Sequence, residues 1–228
     1  MGKSISIIIP AFNEEGNIKK VITRCLEVLP KLFEQFEIIA INDGSKDRTG
    51  EILESLKNQF KNLKVFHHLR NEGMGSAVRT GIQNAKNDLI FTISADLQYD
   101  ISELEKFLVP IKEADIVIGS RLKRDYRGWR NIATFVYRIF LNLMFCLKFE
   151  DSTSIKLFKR NVFEKISVDS SGFFWEVEVL IKAKRAGFMI KETRVYSKKR
   201  MLGKSSLENP LEVFKIILEM IKFRLKQS

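Results

Sequence analysis

Cysteine, histidine and proline are all scarce in this chain. Its two cysteines, Cys25 and Cys146, both fall in segments of helical spacing. They exclude a disulfide scaffold and a cysteine zinc cluster, and they suit reduced thiols in a cytoplasmic setting. Four prolines and no low-complexity tract argue for an ordered chain. The two histidines, His67 and His68, are adjacent, with no third ligand at metal spacing, and read as structural or surface residues. A secretory leader is not expected, because the apolar run after Lys3 is cut short by Pro10 and no small-residue cleavage site follows. Acid is also in deficit: 39 Lys and Arg stand against 28 Asp and Glu, for a net charge of +11. Such a chain favours anionic partners: nucleic acid, acidic phospholipid headgroups or phosphorylated substrates. The excess is clustered, with Arg121, Lys123, Arg124, Arg127, Arg130 and Arg138 in one stretch and Arg194, Lys198, Lys199, Arg200 and Lys204 in another.

What is present is a repeating alternation. With 228 residues, 45% of them hydrophobic, the chain can bury one sizeable core or a domain plus an appendage. Short apolar runs at 5–9, 36–41, 63–69, 88–93 and 115–119 read as buried strands. Segments of helical spacing at 14–29, 47–60, 73–86 and 102–111 separate them, with Asn13 a plausible first cap. The alternation implies an α/β chain with a parallel, doubly wound sheet. After Gly119 the pattern changes. A polar, basic loop over 120–130 precedes an apolar segment at 131–149, then a turn and short strand over 150–158, a helix over 173–186, a strand over 188–196 and a C-terminal amphipathic helix over 207–226. The 131–149 segment is about 19 residues, near the roughly 20 needed to span a bilayer. Arg138 near its middle makes spanning costly. A helix at the membrane interface is preferred to a core helix because the basic loop adjoins it.

Polar loops follow each strand: Pro10 to Glu15, Asn42 to Thr49, Asn71 to Gly75, Ser94 to Asp100, and Gly119-Ser120-Arg121. In an open α/β sheet this edge is where ligands bind. Asp96 and Gln98, two apart, share a side if the chain is extended. A carboxylate beside an amide oxygen suits a hard cation, and such a cation suits a diphosphate. The same stretch also reads as a capped turn, with Asp100 or Ser102 as N-cap.

Taken together, PAFNEE, NDGSKDRT, NEGMGSAVRTGI, ADLQYD and VIGSR resemble family 2 of the glycosyltransferases, in this order over roughly the first 120 residues. Looser matches resemble the polyprenyl-phosphate branch, typified by dolichyl-phosphate mannose synthase and dolichyl-phosphate glucosyltransferase. They are Trp129-Arg130 with Thr134, Asp151 to Ser154, and Arg200-Met201-Leu202-Gly203-Lys204-Ser205. The resemblance implies a GT-A fold, a Rossmann-like, mostly parallel sheet flanked by helices. The transferase domain is expected over 1–206, its nucleotide-sugar half at 1–121 and its acceptor half at 122–206, followed by a helix at 207–228. It implies that Pro10, Asn13 and Glu15 line the base and ribose pocket, that Asp43 holds the base or ribose, and that Gly73 and Ser94 belong to the donor site. Asp96 and Gln98 would bind Mg²⁺ or Mn²⁺ on the diphosphate. Arg121 and Arg130, with Thr134, would hold the phosphate of a lipid acceptor, and Arg200, Lys204 and Ser205 would close over the donor.

The implied activity is inverting transfer of a hexose from a nucleotide sugar, GDP-mannose or UDP-glucose, to a polyprenyl or dolichyl phosphate on the cytosolic face of a membrane. Asp96, Arg121 and Arg130 carry it, and a membrane subunit or second copy is a possible partner. Departing diphosphate needs a cation, and a phosphate acceptor needs arginine but no general base. A hydroxyl acceptor needs a base, for which Glu176 and Glu178 are candidates, with the exposed face of a helix as their plain reading. Three positions depart from the family pattern: Ser94 replaces the first acid of D-x-D, Met74 replaces a lysine, and the segment after Asp151 is one residue short, without its glycine. Ser94 and Met74 favour the alternative from another class, a non-catalytic membrane-binding or scaffold relative. Nucleic acid ranks last, since it leaves the acidic strand-end motifs unexplained.

Overall fold

The computed structural model describes residues 4–122, 141–142, 144–145, 147–198 and 210–225. Seven strands form one sheet: β1 (Ser4–Ala11), β2 (Gln35–Asn42), β3 (Leu63–His67), β4 (Leu89–Thr92), β5 (Ile116–Arg121), β6 (Lys156–Lys159) and β7 (Ile190–Val195). Their order across the sheet is β3-β2-β1-β4-β6-β5-β7. Every pairing is parallel except those of β6, which runs antiparallel between β4 and β5. The strand-end polar loops therefore lie along one edge, as the alternation predicts, and the start of β6 joins them there. Lys156 stands opposite Thr92 on one side and Ile118 on the other.

The longer helices among the described residues are α1 (Ile18–Leu32), α2 (Thr49–Gln59), α3 (Met74–Asn84), α4 (Trp175–Arg185) and α5 (Pro210–Leu225). Alternate strand residues face opposite ways. Ile5, Ile7, Ile9, Phe91 and Val117 pack on the α1 side, whereas Ile8, Ile39, Ile90, Ile118 and Phe158 pack on the α3 and α4 side. Strands buried on both faces account for the unbroken apolar runs.

Element boundaries differ locally from expectation. Helix α1 starts at Ile18 and passes Pro30 to end at Leu32. A proline this near a helix end removes only one late hydrogen bond. Asn13 is no cap: it has φ 55 and lies in the turn before the helix. The helix expected at 102–111 is two 3-10 segments, Ile101–Phe107 and Pro110–Lys112, separated where Pro110 removes an amide donor.

The interfacial helix expected at 131–149 lies largely outside the described residues, Arg138 included. Its described end is a core element. Leu141, Phe145 and Leu147 are buried in the α4-side core, and the Phe145 ring meets Phe223 of α5. An apolar surface offered a packing partner is buried there rather than at an interface. Helix α5 docks on the protein through Met220 and Phe223, and exposes Leu218, Ile221 and Leu225. Among the described residues no helix is long and apolar enough to cross a membrane.

Helix α3 sits close enough to the sheet to need a glycine. A Cβ on Gly81 would meet Ile8 Cγ2 at 2.5 Å and Ile41 Cδ1 at 3.1 Å. Both contacts come from strand residues in a packed core, so Gly81→Ala is expected to destabilise the chain by about 1–3 kcal/mol, read by chemical denaturation.

Candidate functional site

The loops at the ligand edge are tied to one another by side chains that cap backbone N–H groups. Asn13 N donates to Ser45 Oγ (2.9 Å), and Asn13 Oδ1 accepts from Lys46 N (2.9 Å). Glu14 N donates to Thr49 Oγ1 (2.8 Å), Glu15 N to Asp47 Oδ2 (3.1 Å), and Arg48 N to Glu15 Oε2 (3.0 Å). Pro10 is half-buried at the end of β1 beside Ile41. Pro10, Asn13 and Glu15 are thus brought together, and the polar atoms of Asn13 and Glu15 shape the second loop.

Asp43 makes the next tie. Its buried carboxylate accepts from Glu72 N and Gly73 N (2.9 Å each) and bonds His68 Nδ1 (2.7 Å). His68 Nε2 bonds Thr80 Oγ1 (2.9 Å). His68 is therefore structural in a specific sense, fixing the carboxylate against α3. A helix start often presents free amides to phosphate. Here Asp43 takes two, and Ser171 O accepts from Gly75 N (2.7 Å) and Ser76 N (3.3 Å). Gly73 contributes its φ of 96 and its lack of Cβ, since a Cβ would lie 2.4 Å from Ser171 O. The Gly73 N–H is engaged by Asp43, so any part Gly73 takes in the donor site rests on its backbone shape and missing side chain.

The stretch from Ser94 to Asp100 is a turn, not an extended segment. Leu97 has φ 60, a left-handed conformation that costs a bulky residue about 1–2 kcal/mol. The premise that Asp96 and Gln98 share a side through extended geometry therefore fails. Asp96 Oδ1 instead accepts from Gln98 N (3.1 Å), and Ser94 Oγ accepts from Asp96 N (3.3 Å). Asp100 caps the 3-10 segment through Ser102 N (2.9 Å), as the capped-turn reading predicts. Among the described residues no group of three or more His, Cys, Asp or Glu gathers as a metal cluster. Among the described residues Asp96 Oδ2 keeps no hydrogen bond, so a divalent cation fits here on this one carboxylate with oxygens from a diphosphate and water.

At the end of β5, Arg121 lies forked on Asp151. Nε donates to Oδ2, and Nη2 donates to Oδ1 (2.9 Å) and to Thr153 Oγ1 (3.1 Å). Asp151 is almost wholly buried, so this guanidinium is fixed in orientation by a bidentate pair. Tyr99 Oη shares a hydrogen bond with Ser154 Oγ (2.9 Å), and burial raises the Tyr99 pKa. The other expected acceptor and closing residues, Arg130, Thr134, Arg200, Lys204 and Ser205, lie outside the described residues. The chain entering the last group is held at the site: Lys198 N donates to Gln98 O (2.8 Å).

The two glutamates of α4 separate sharply. Glu178 is fully buried and accepts from Asp169 N (3.1 Å) and Ser170 N (2.8 Å), with Lys182 Nζ 2.6 Å away. It is a brace, neither a base nor part of an exposed face. Glu176 has no hydrogen-bond partner among the described residues. Burial raises its carboxyl above the ordinary range, against the pull of Lys156 and Arg121. Sequence reasoning missed Lys156, which is fully buried beneath this group. Its one signal was a lysine at the head of an apolar run.

Removing Glu178 leaves two loop amides without their acceptor and takes one of two carboxylates from Lys182, which keeps Asp169. Glu178→Ala is expected to cost about 3–5 kcal/mol in denaturant unfolding, whereas Glu176→Gln stays within about 1 kcal/mol of wild type.

Comparison with known proteins follows the same lines. Residues 6–170 match the model of glycosyl transferase family 2. The dolichol-phosphate mannosyltransferase of Pyrococcus furiosus is 31% identical over 190 residues, covering 79% of this chain and 53% of the relative. The glycosyltransferase AglD of Haloferax volcanii is 28% identical over 202 residues, covering 84% and 32% respectively. An undecaprenyl-phosphate 4-deoxy-4-formamido-L-arabinose transferase of Proteus mirabilis is 31% identical over 126 residues, covering 55% and 39%. The chain thus spans between about a third and a half of the length of these relatives. In fold it is similar to the glucosyl-3-phosphoglycerate synthase of Mycobacterium tuberculosis, solved with Mn²⁺, UDP and glucosyl-3-phosphoglycerate, at TM-score 0.75 and 19% identity over 97% of this chain and 79% of that one. With the motifs placed along one sheet edge and the family model matched over most of its length, the chain belongs to glycosyltransferase family 2.

Proposed function

We propose that the chain transfers a hexose from a nucleotide sugar to a polyprenyl phosphate, by one in-line displacement that inverts the anomeric centre. The observation that carries this reading is Arg121, oriented by Asp151 at the end of β5. A fixed guanidinium beside the donor loop suits a phosphate oxygen, and a phosphate nucleophile needs no general base. The relatives named for dolichol and undecaprenyl phosphate support the acceptor class. The laced loops at Pro10, Asn13, Glu15 and Asp43 would shape the nucleoside pocket. Asp96, with Gln98 near it, would hold a Mg²⁺ or Mn²⁺ that offsets charge on the departing diphosphate. Arg130 and Thr134 would join Arg121 on the acceptor, with Arg200, Lys204 and Ser205 over the donor.

A membrane surface is part of this reading. β5 and β7 are parallel neighbours, with Arg121 opposite Val195. The chain segments that lead into the two clusters of positive charge therefore leave the sheet side by side. Leu122 and Tyr196 are 56% and 55% exposed at that point, apolar groups suited to an anionic lipid surface.

Glu176 favours a second reading. A carboxyl with a raised pKa and no hydrogen-bond partner among the described residues suits a general base for a carbohydrate or lipid hydroxyl. Glu178 has no such role, being held by amides and Lys182.

A transfer assay with radiolabelled GDP-mannose and UDP-glucose, polyprenyl phosphate and Mg²⁺ or Mn²⁺ tests the proposal. Labelled lipid phosphate is expected, with turnover lost on chelation. Asp96→Ala and Arg121→Lys should each lower kcat/KM by about 10²–10³-fold. Transfer to a hydroxyl acceptor, abolished by Glu176→Gln, would replace the first reading with the second. Nucleotide binding without turnover across a donor panel would leave a non-catalytic relative.

A further inference from the structure

Beneath the acceptor end lies a charge that the proposed reaction does not use. Lys156 is 0% exposed. Its ammonium donates to Ser154 O (2.7 Å) and lies 5.5 Å from the centre of the Trp175 indole. No ion pair reaches it among the described residues. Glu176 follows Trp175 directly and has no hydrogen-bond partner of its own among them. The neighbouring ionisable groups are Arg121 and Asp151, which are bound to each other, and the neutral Tyr99, whose hydroxyl is bonded to Ser154. Arg121 and Asp151 offset one another, whereas among the described residues no ion pair answers Lys156 or Glu176.

Burying an ammonium with no counter-ion in contact is unfavourable, and an apolar side chain of similar volume usually serves stability as well or better. Register places this charge between two functional loops. Thr92, opposite Lys156, is two residues ahead of Ser94, and Ile118, also opposite, is three ahead of Arg121. Burial lowers the Lys156 pKa while Glu176 raises it, so each group bears on the charge state of the other.

We propose that Lys156 is an acceptor-specificity residue: its buried ammonium supplies the positive potential that makes the Arg121 end of the sheet receptive to a phosphate-bearing acceptor, and Glu176 opposes it. The inference rests on the phosphate-acceptor reading above. Lys156 acts through the field and through Ser154, without touching the acceptor. Charge at this depth is screened little by salt, so its reach exceeds that of the surface lysines.

The two groups should act with opposite sign. The wild-type chain, Lys156→Met, Lys156→Arg and Glu176→Gln are titrated calorimetrically with farnesyl phosphate, with farnesol as the uncharged control, and with UDP and GDP in Mg²⁺. Thermal melting is read on each. Lys156→Met is expected to weaken farnesyl phosphate at least tenfold, leave nucleotide and farnesol binding unchanged, and melt no lower than wild type. Lys156→Arg should restore most of the affinity, and Glu176→Gln should tighten farnesyl phosphate severalfold. Unchanged farnesyl phosphate binding in Lys156→Met overturns the proposal, as does equal weakening of farnesol. If Lys156→Met does not fold, Lys156→Gln decides in its place: unchanged binding of farnesyl phosphate overturns the proposal. A wild-type chain that binds farnesyl phosphate no better than farnesol instead sinks the phosphate-acceptor reading.

Discussion

The Asp43 carboxylate is the tie on which the ligand edge depends. A doubly wound sheet brings loops to one edge, but it does not decide their shape, because loop amides have no ladder partner. Asp43 takes two such amides at the head of α3 and is itself held by His68, which reaches α3 again at Thr80. This joins the ends of β2 and β3 to the start of α3. Ser45, Asp47 and Thr49 do the same between the loops after β1 and β2. The edge is thus a laced rim with little freedom left in its backbone, which is what holding a flexible diphosphate needs.

Much of this was legible from residue types. Apolar runs of Ile and Val marked the strands because both faces of the sheet are covered. The strand-end motifs placed Asp43, Asp96 and Arg121 on one edge because parallel strands all end alike. The antiparallel β6 was not legible: four residues carry too little periodicity to show direction. Nor was the turn at Leu97, since a leucine with positive φ has no local signal and is imposed by its surroundings. That the described end of the apolar segment, Leu141 to Leu147, packs into the core was not legible, because sequence shows an apolar surface but not its cover. Phe145 meets Phe223 more than seventy residues further on.

Glu176 and Glu178 illustrate how position within one helical turn decides role. Two residues apart, they point to different sides of α4. Glu178 turns inward to the 169–170 backbone and Lys182, and its charge is answered on every side. Glu176 feels Lys156 and Arg121 without a hydrogen bond among the described residues. Composition and spacing treat the pair alike, and only the partners distinguish a brace from a group with chemistry to offer.

The reversed direction of β6 makes the head of that strand, not its tail, part of the ligand edge. Length changes in residues 151–155 therefore act as a switch on the sheet's two faces. A single added residue that shifted β6 by one position would carry the 156 ammonium from the α4 side to the α1 side, and would bring Leu157 and Phe158 out of their own cores with it. The glycine missing from this segment is in that sense a matter of parity: the count of residues between Asp151 and β6 decides which layer of the protein receives the charge.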